Sequence, residues 1–529
     1  MNRKGVKKIA SVIIPLILVF SSLAGCINQS ENSDDNSPTR DSLVVGMGGN
    51  IFGFFPWLES YDVATMMINM NIFNALVEFD QILRTRPKLA TSWNNPNNLT
   101  WRFYLRENVK FHNGYNFTAE DVKYSIDLIK GNESHVLRDL LVSVKEVKIV
   151  NEHTVDIITE KPCPILLNKL VDIPIASKKY IEETNKKWPI GKPIGTGAYK
   201  LVKYVHDEYI QLERFDDYWN KPEVKNVIFK IIEDDEEMKN ATISGEIEIA
   251  RHILPRYYDE VLNCSNLQVG KCSQPTVYFL SFDFRENDSV GFKGGKNPLT
   301  DLRVRKAIYH AINVTYIIEN VLNGSNFAVP ASQFVSPLVF GYNPDIKRLP
   351  YDIKKAKELM KEAGYEDGFE LVLDCHEDSK NQKRISEIIQ SQLSEIIDLK
   401  LNFLSVEEYY MKLGERNSSF YSIGWLAATG DGAEIFDYMI RTVDHEAGVG
   451  TYNLGFYSNP EVDRIGENIS HILDPEDRLK LMQEGFKIAM EDVAWIPLYI
   501  PTCVYSMMDY IAWEPGLGMM ISVENVRFK

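Results

Sequence analysis

The sequence predicts an α/β protein folded as two or three lobes, and three observations carry that reading. At 529 residues the chain is too long for one hydrophobic core. Stretches of period-2 apolar alternation recur along it, separated by stretches with helical periodicity and recognisable caps. The composition is that of a globular protein, 44% apolar and 25% charged, so each lobe has enough apolar surface to bury.

The N-terminus addresses the chain outside the cytoplasm. Arg3, Lys4, Lys7 and Lys8 precede an apolar run from Ile9 to about Ala24, short for a spanning helix and typical of a secretory signal. The run ends Leu23-Ala24-Gly25-Cys26, which resembles a lipoprotein processing box and implies cleavage before Cys26 and lipid attachment to it; a simple uncleaved anchor is the alternative, and either tethers the body outside the membrane. Residues 1–25 are then a signal peptide. Residues 26–41, polar and without apolar period, form a flexible linker holding the body at the outer face of the cell membrane. A net charge of −16 argues against nucleic acid or an anionic lipid surface as the main partner. Five further cysteines remain: Cys163, Cys264, Cys272, Cys375 and Cys503. In an extracytoplasmic setting one bridge is plausible, with Cys264 and Cys272 the nearest neighbours in sequence, and five buried thiols are the alternative. Asn98, Asn116, Asn132, Asn240 and Asn313 stand in glycosylation triplets, which also arise by chance in an Asn-rich chain.

The body opens with a strand, Ser42 to Met47, the aromatic loop Phe52 to Trp57, and a helix from about Tyr61 to Phe73. Trp101, Phe103 and Leu105 then alternate with Arg102, Tyr104 and Arg106 as in a half-buried strand. A second short strand, Val109 to His112, runs into a turn at Asn113-Gly114. Thr118 caps a helix from Ala119 to about Ile129, with Asp121 placed to complete a capping box. Strands follow near Val144–Val150 and Thr154–Thr159. The Gly-Thr-Gly of Pro193 to Leu201 would suit a phosphate loop only if a helix followed, but Tyr199 to Val205 alternates like a strand, so a turn is expected. The acidic run Glu233 to Glu237 suits a helix start rather than a metal site. Leu299 to Asn313 carries Val304, Ala307, Ile308 and Ala311 on one helical face. Helices are expected at Ile353–Ala363, Arg384–Ile396 and Arg478–Met490, and strands at Phe369–Asp374 and Lys400–Leu404.

The string Trp101 to Ser125, WRFYLRENVKFHNGYNFTAEDVKYS, closely resembles the most recognisable block of the extracytoplasmic solute-binding receptors of peptide- and nickel-type ABC importers, solute-binding protein family 5. Pro193 to Leu201, Gly245 to Ile249 and Gly424-Trp425 extend the resemblance, in order, over roughly residues 43–505. It implies a bilobal, periplasmic-binding-protein-like fold (type II, cluster C) with an extra subdomain and a hinged cleft. The implied boundaries are 42–87, first lobe; 88–192, its additional subdomain; 193–285, first lobe again; 286–494, second lobe; and 495–529, a return to the first. It further implies a monomer without cofactor that delivers a small solute to membrane permease subunits powered by separate ATPase subunits.

No reactive constellation stands out: there is no GxSxG elbow, no HExxH and no paired CxxC. Cys375-His376-Glu377-Asp378 follows a strand and reads as a polar loop rather than a metal site. An extracytoplasmic peptidase or hydrolase on the same body is the alternative from another class. A binding wall is best placed at Ser422 to Gly432, where a strand ends in Gly424-Trp425 and a glycine-rich loop. The stretch resembles the family's G-W-x-x-D-x-x-D-P loop, whose first aspartate pairs with a peptide's α-ammonium. That position here is Ala428, while the second acid is present as Asp431, and a buried ammonium without a carboxylate is costly. Resemblance to the nickel branch instead singles out His445, a residue type that suits a nickel chelate. Phe54, Phe55 and Trp57 are further candidate cleft residues, with core packing the alternative for each.

Overall fold

The strand Trp495–Met508 holds the two halves of the protein together. The first half of this strand pairs antiparallel with Thr276–Phe282 and Ala328–Pro330. Its second half pairs with Leu267–Ser273 and Ile249–Ala250. In this computed structural model the described residues are 40–184, 192–251, 253–286, 289–292, 295–377, 379–516 and 520–529. The signal segment, Cys26 and the linker up to residue 39 lie outside them, as does Asp378. Among the described residues, one twelve-stranded sheet runs from Asp398–Leu404 at one edge to Tyr199–Val205 at the other.

Apolar burial divides along the same line. One core takes residues from Leu43 to Ile249 and again from Cys503 to Val526. The other large core spans Val277 to Ile500, and two small clusters lie beside them. The chain therefore crosses between lobes at Ser273–Thr276 and again just after Ile500. Both crossings differ from the 285/286 and 494/495 boundaries expected. The reason is pairing: Thr276–Phe282 is hydrogen-bonded along its whole length to Phe420–Leu426, which commits it, and the first residues of Trp495–Met508, to the second lobe.

The additional subdomain is an antiparallel sheet in the order Ala90–Asn97, Thr100–Leu105, Thr154–Thr159, Val144–Asn151. Trp101, Phe103 and Leu105 are buried as the alternation requires. The Ala119–Lys130 helix packs on this sheet through Val122, Ile126 and Ile129. Its capping box is formed: the Thr118 N–H donates to Asp121 Oδ2 at 2.9 Å, and the Glu120 N–H donates to Thr118 Oγ1 at 3.3 Å. Val109 to His112 is not a strand. Its chain reverses at once through the Asn113-Gly114 turn, leaving a single bridge between Lys110 and Asn116.

Elsewhere the expected elements form with shifts of a few residues. Asp62 caps Val63–Ile72, Asp352 caps Ile353–Glu362, and Asp234 caps Asp235–Ser244 at the acidic run. Gly195 and Gly197 open a strand, Tyr199–Val205, and no helix follows them. Their small size serves a close backbone approach instead. The Gly197 N–H donates to the Ile72 carbonyl at 2.8 Å, and a Cβ on Gly195 would lie 2.1 Å from that oxygen.

Candidate functional site: the wall around Trp425 and the helix facing it

Phe420–Leu426 ends at the rim of the second lobe, with Trp425 opposite Val277 in the ladder. The indole is half-buried and its Nε1–H donates to Glu434 Oε1 at 3.2 Å. Glu434 Oε2 in turn accepts the Thr429 hydroxyl at 2.8 Å and the Thr429 N–H at 3.3 Å. One carboxyl thus fixes both the tryptophan and the glycine-rich loop after it. Glu434 is buried, and that burial pushes its carboxyl up to about 7, against the pull of its three hydrogen bonds.

A short helical turn at Ala433–Ile435 widens into a π-turn, Phe436–Ile440. It brings Asp437 and Tyr438 to the same rim. Trp425 packs against Tyr452 (ring centroids 5.2 Å apart) and Tyr438 (6.1 Å). Tyr438 and Tyr452 are 42% and 53% exposed, so this aromatic wall is open to solvent. Asp437 lies 3.5 Å from Arg441 and keeps a 35% exposed side chain. Burial raises its carboxyl, offset in part by Arg441 and by Lys169 of the first lobe.

The opposing face comes from the helix Leu166–Leu170 and the turn between Val77–Phe79 and Thr85–Pro87. Asn168 Nδ2 donates to the Thr429 carbonyl at 2.7 Å. Leu83 reaches Gly430 so closely that a Cβ there would meet the leucine Cβ at 3.0 Å. Just beyond the helix, Tyr61 Oη donates to Asp172 at 2.5 Å. Burial raises the Asp172 carboxyl, with this hydrogen bond pulling the other way. The arrangement offers aromatic faces, a partly exposed carboxylate and backbone polar groups between two bodies joined by strands. Such a site suits holding a small polar solute.

The profile of bacterial extracellular solute-binding proteins, family 5, middle part, matches residues 84–445. The chain belongs to the family 5 solute-binding proteins. The glutathione-binding protein GsiB of Salmonella typhi is 25% identical over 476 residues, covering 87% of this chain and 89% of that one. HbpA2 from Haemophilus parasuis shares the fold at a TM-score of 0.82 and 22% identity, over 92% of this chain and all of that one. NikZ from Campylobacter jejuni, solved with Ni(L-His), does so at 0.70 and 23%, over 92% and 99%. The family is one of extracellular solute-binding proteins of ABC importers and not of enzymes; GsiB is named for binding glutathione, and NikZ was solved holding a nickel complex. The hydrolase alternative is set aside on that ground.

In this solute-binding protein the residues singled out from sequence separate into two groups. Gly424, Trp425 and Ala428 lie on the wall described above, and Ala428 is exposed there. Asp431 does not face solvent. Both its oxygens are taken by Arg478, at 2.6 and 2.7 Å, and Oδ1 also accepts the Ala433 N–H, so it holds the loop to the helix Pro475–Glu491. Phe54 and Phe55 are buried in the first core, Phe54 edge-on to Tyr204, while Trp57 is exposed. His445 is exposed on the tight turn bridged by Asp444 and Val449. Cys375 is buried and its thiol pushed up to about 11 by that burial. Among the described residues, no group of three or more His, Cys, Asp or Glu is placed to hold a metal ion.

Cys264 and Cys272 do not face one another. Cys264, two residues past the helix Tyr258–Leu262, donates to the Glu260 carbonyl, whereas Cys272 lies opposite Cys503, and all stand as free thiols in this structure. Sequence reading missed Asn168, Glu434, Asp437, Tyr438 and Tyr452. A signal for three of them was present: after the glycine-rich loop, Glu434, Asp437 and Tyr438 stand at helical i, i+3, i+4 spacing, which shares one face.

Proposed function

We propose that this chain is a lipid-anchored receptor that captures a peptide or peptide-like solute between the Trp425 wall and the Leu166–Leu170 helix and hands it to an ABC permease. Cys26 carries the lipid, residues 26–41 serve as the leash, and the receptor works as a monomer. Asp437 carries this reading. Ala428 supplies no acid at the loop position from which relatives of the peptide branch hold an ammonium group. Asp437 supplies one from the π-turn beside it, partly exposed and flanked by Tyr438. A ligand ammonium meeting Asp437 gains a charge-assisted hydrogen bond, and its neighbouring apolar groups meet Trp425 and Tyr452. Ligand touching both walls favours the state in which they approach, by its differential affinity for that state.

Native mass spectrometry of the protein as isolated from its membrane tests this. Bound peptides that disappear in Asp437→Asn support the proposal. A bound nickel complex, lost on replacing His445 with Ala and indifferent to Asp437→Asn, overturns it in favour of metal-chelate transport.

A further inference from the structure

Strands Leu267–Ser273 and Trp495–Met508 run antiparallel, with Cys272 directly opposite Cys503. The Gln274 N–H donates to the Pro501 carbonyl at 3.0 Å, two residues along the same ladder. Pairs alternate in an antiparallel ladder, so Cys272 and Cys503 form a hydrogen-bonded pair whose Cα atoms are about 5.5 Å apart. A disulfide spans Cα atoms at about that separation. Directly opposite residues of a ladder leave the sheet on one face, so the two thiols are neighbours. The interaction with Cys503, together with burial, holds the Cys272 thiol well above the ordinary thiol range.

The position of the pair in the chain gives it consequence. The whole second core, Val277 to Ile500, lies between these two residues in sequence. Both covalent links between the lobes therefore pass through this one rung of the ladder.

We propose that Cys272 and Cys503 form a disulfide in the exported protein, stapling together the two strands from which the second lobe hangs. The extracytoplasmic compartment permits it. The oxidant is a disulfide, either that of a dithiol oxidase or of oxidised glutathione. The Cys272 thiolate attacks one sulfur of that disulfide, forming a mixed disulfide and releasing one thiolate. The Cys503 thiolate then attacks Cys272 Sγ, the protein S–S bond forms, and the second thiolate leaves. The two thiol protons pass to the two departing sulfurs, so the oxidant is reduced by two electrons. Cys503 is buried and Cys272 half-buried in the folded chain, and the Cys272 thiol is little ionised there. The exchange thus belongs to folding, before the pair is covered. Once made, the bond holds the ladder shut up to Ser273 and Thr502 and confines bending between the lobes to residues beyond them.

Peptide mapping of the full chain, exported and purified without reductant, tests the bond. The protein is unfolded in iodoacetamide, digested and analysed before and after reduction. The expected result is a linked species containing Cys272 and Cys503 that separates on reduction, with Cys163, Cys264 and Cys375 alkylated. Alkylation of both Cys272 and Cys503, or a link from either to Cys264, overturns the proposal. Thermal unfolding gives a second readout that does not need the bond to be isolated. Reductant should lower the midpoint of the wild-type chain by several degrees and leave Cys272→Ser unmoved, and equal shifts in both would refute the staple.

Discussion

Asn168 of the first lobe donates to the Thr429 carbonyl of the second at 2.7 Å, and Thr429 is itself held twice by Glu434. The far wall is thus latched at the point where its position is already fixed from behind. A neutral hydrogen bond contributes about 0.5–1.5 kcal/mol. Asn168→Ala is expected to weaken ligand binding about two- to tenfold by calorimetry, with the unfolding midpoint unchanged. Unaltered affinity would mean that the bound state does not use this latch.

Glu434 makes the wall sensitive to pH. In the folded chain its carboxyl keeps a proton up to about 7, whereas the ordinary glutamate value is 4.5. Between these values the folded state binds more protons than the unfolded one, so stability falls as pH rises from 4.5 to 7 and then levels off. The full effect is roughly 3 kcal/mol. Glu434→Gln should abolish this slope in urea unfolding at pH 5, 6, 7 and 8, and be at least as stable as wild type at pH 8. A variant that keeps the wild-type slope would place the titrating group elsewhere.

Most of the fold was legible because caps and alternation act locally. Thr118 with Asp121, Asp352, and the alternating Trp101, Phe103 and Leu105 each form the element their pattern requires. Val109 to His112 failed because a strand needs a partner, and the turn at Gly114 leaves too little chain to supply one. The candidate wall was legible only along one stretch. That Trp425 and Ala428 share a rim could be read because one strand and the loop after it run through them. The ion pair of Asp431 was not legible because its partner, Arg478, lies 47 residues away. Asn168 likewise gains its meaning only when the lobes are set side by side.

Asp431 and Arg478 are each only 5% exposed at the side chain and meet through two parallel hydrogen bonds. Removing one partner of a buried pair strands the other charge and costs about 3–5 kcal/mol. Asp431→Ala is expected to lose that much stability in urea unfolding, and Asp431→Leu with Arg478→Met to recover most of it. Ligand affinity of the folded fraction should stay within about twofold of wild type. Loss of ligand without loss of stability would restore Asp431 to the binding wall.

Gly430 of the second lobe packs against the side chain of Leu83. Its φ is +65°, a conformation that an L side chain adopts at a cost of about 1–2 kcal/mol. An alanine there would also press its Cβ to 3.0 Å from that of Leu83. The first cost belongs to Gly430 alone and the second is shared across the cleft, so the two can be separated. Gly430→Ala should lower both stability and ligand affinity. Adding Leu83→Ala relieves the contact and should recover affinity, while the loss of stability from the backbone remains. A double-mutant cycle on affinity measures the shared part. A coupling of zero would show that the two residues do not meet in the ligand-bound state.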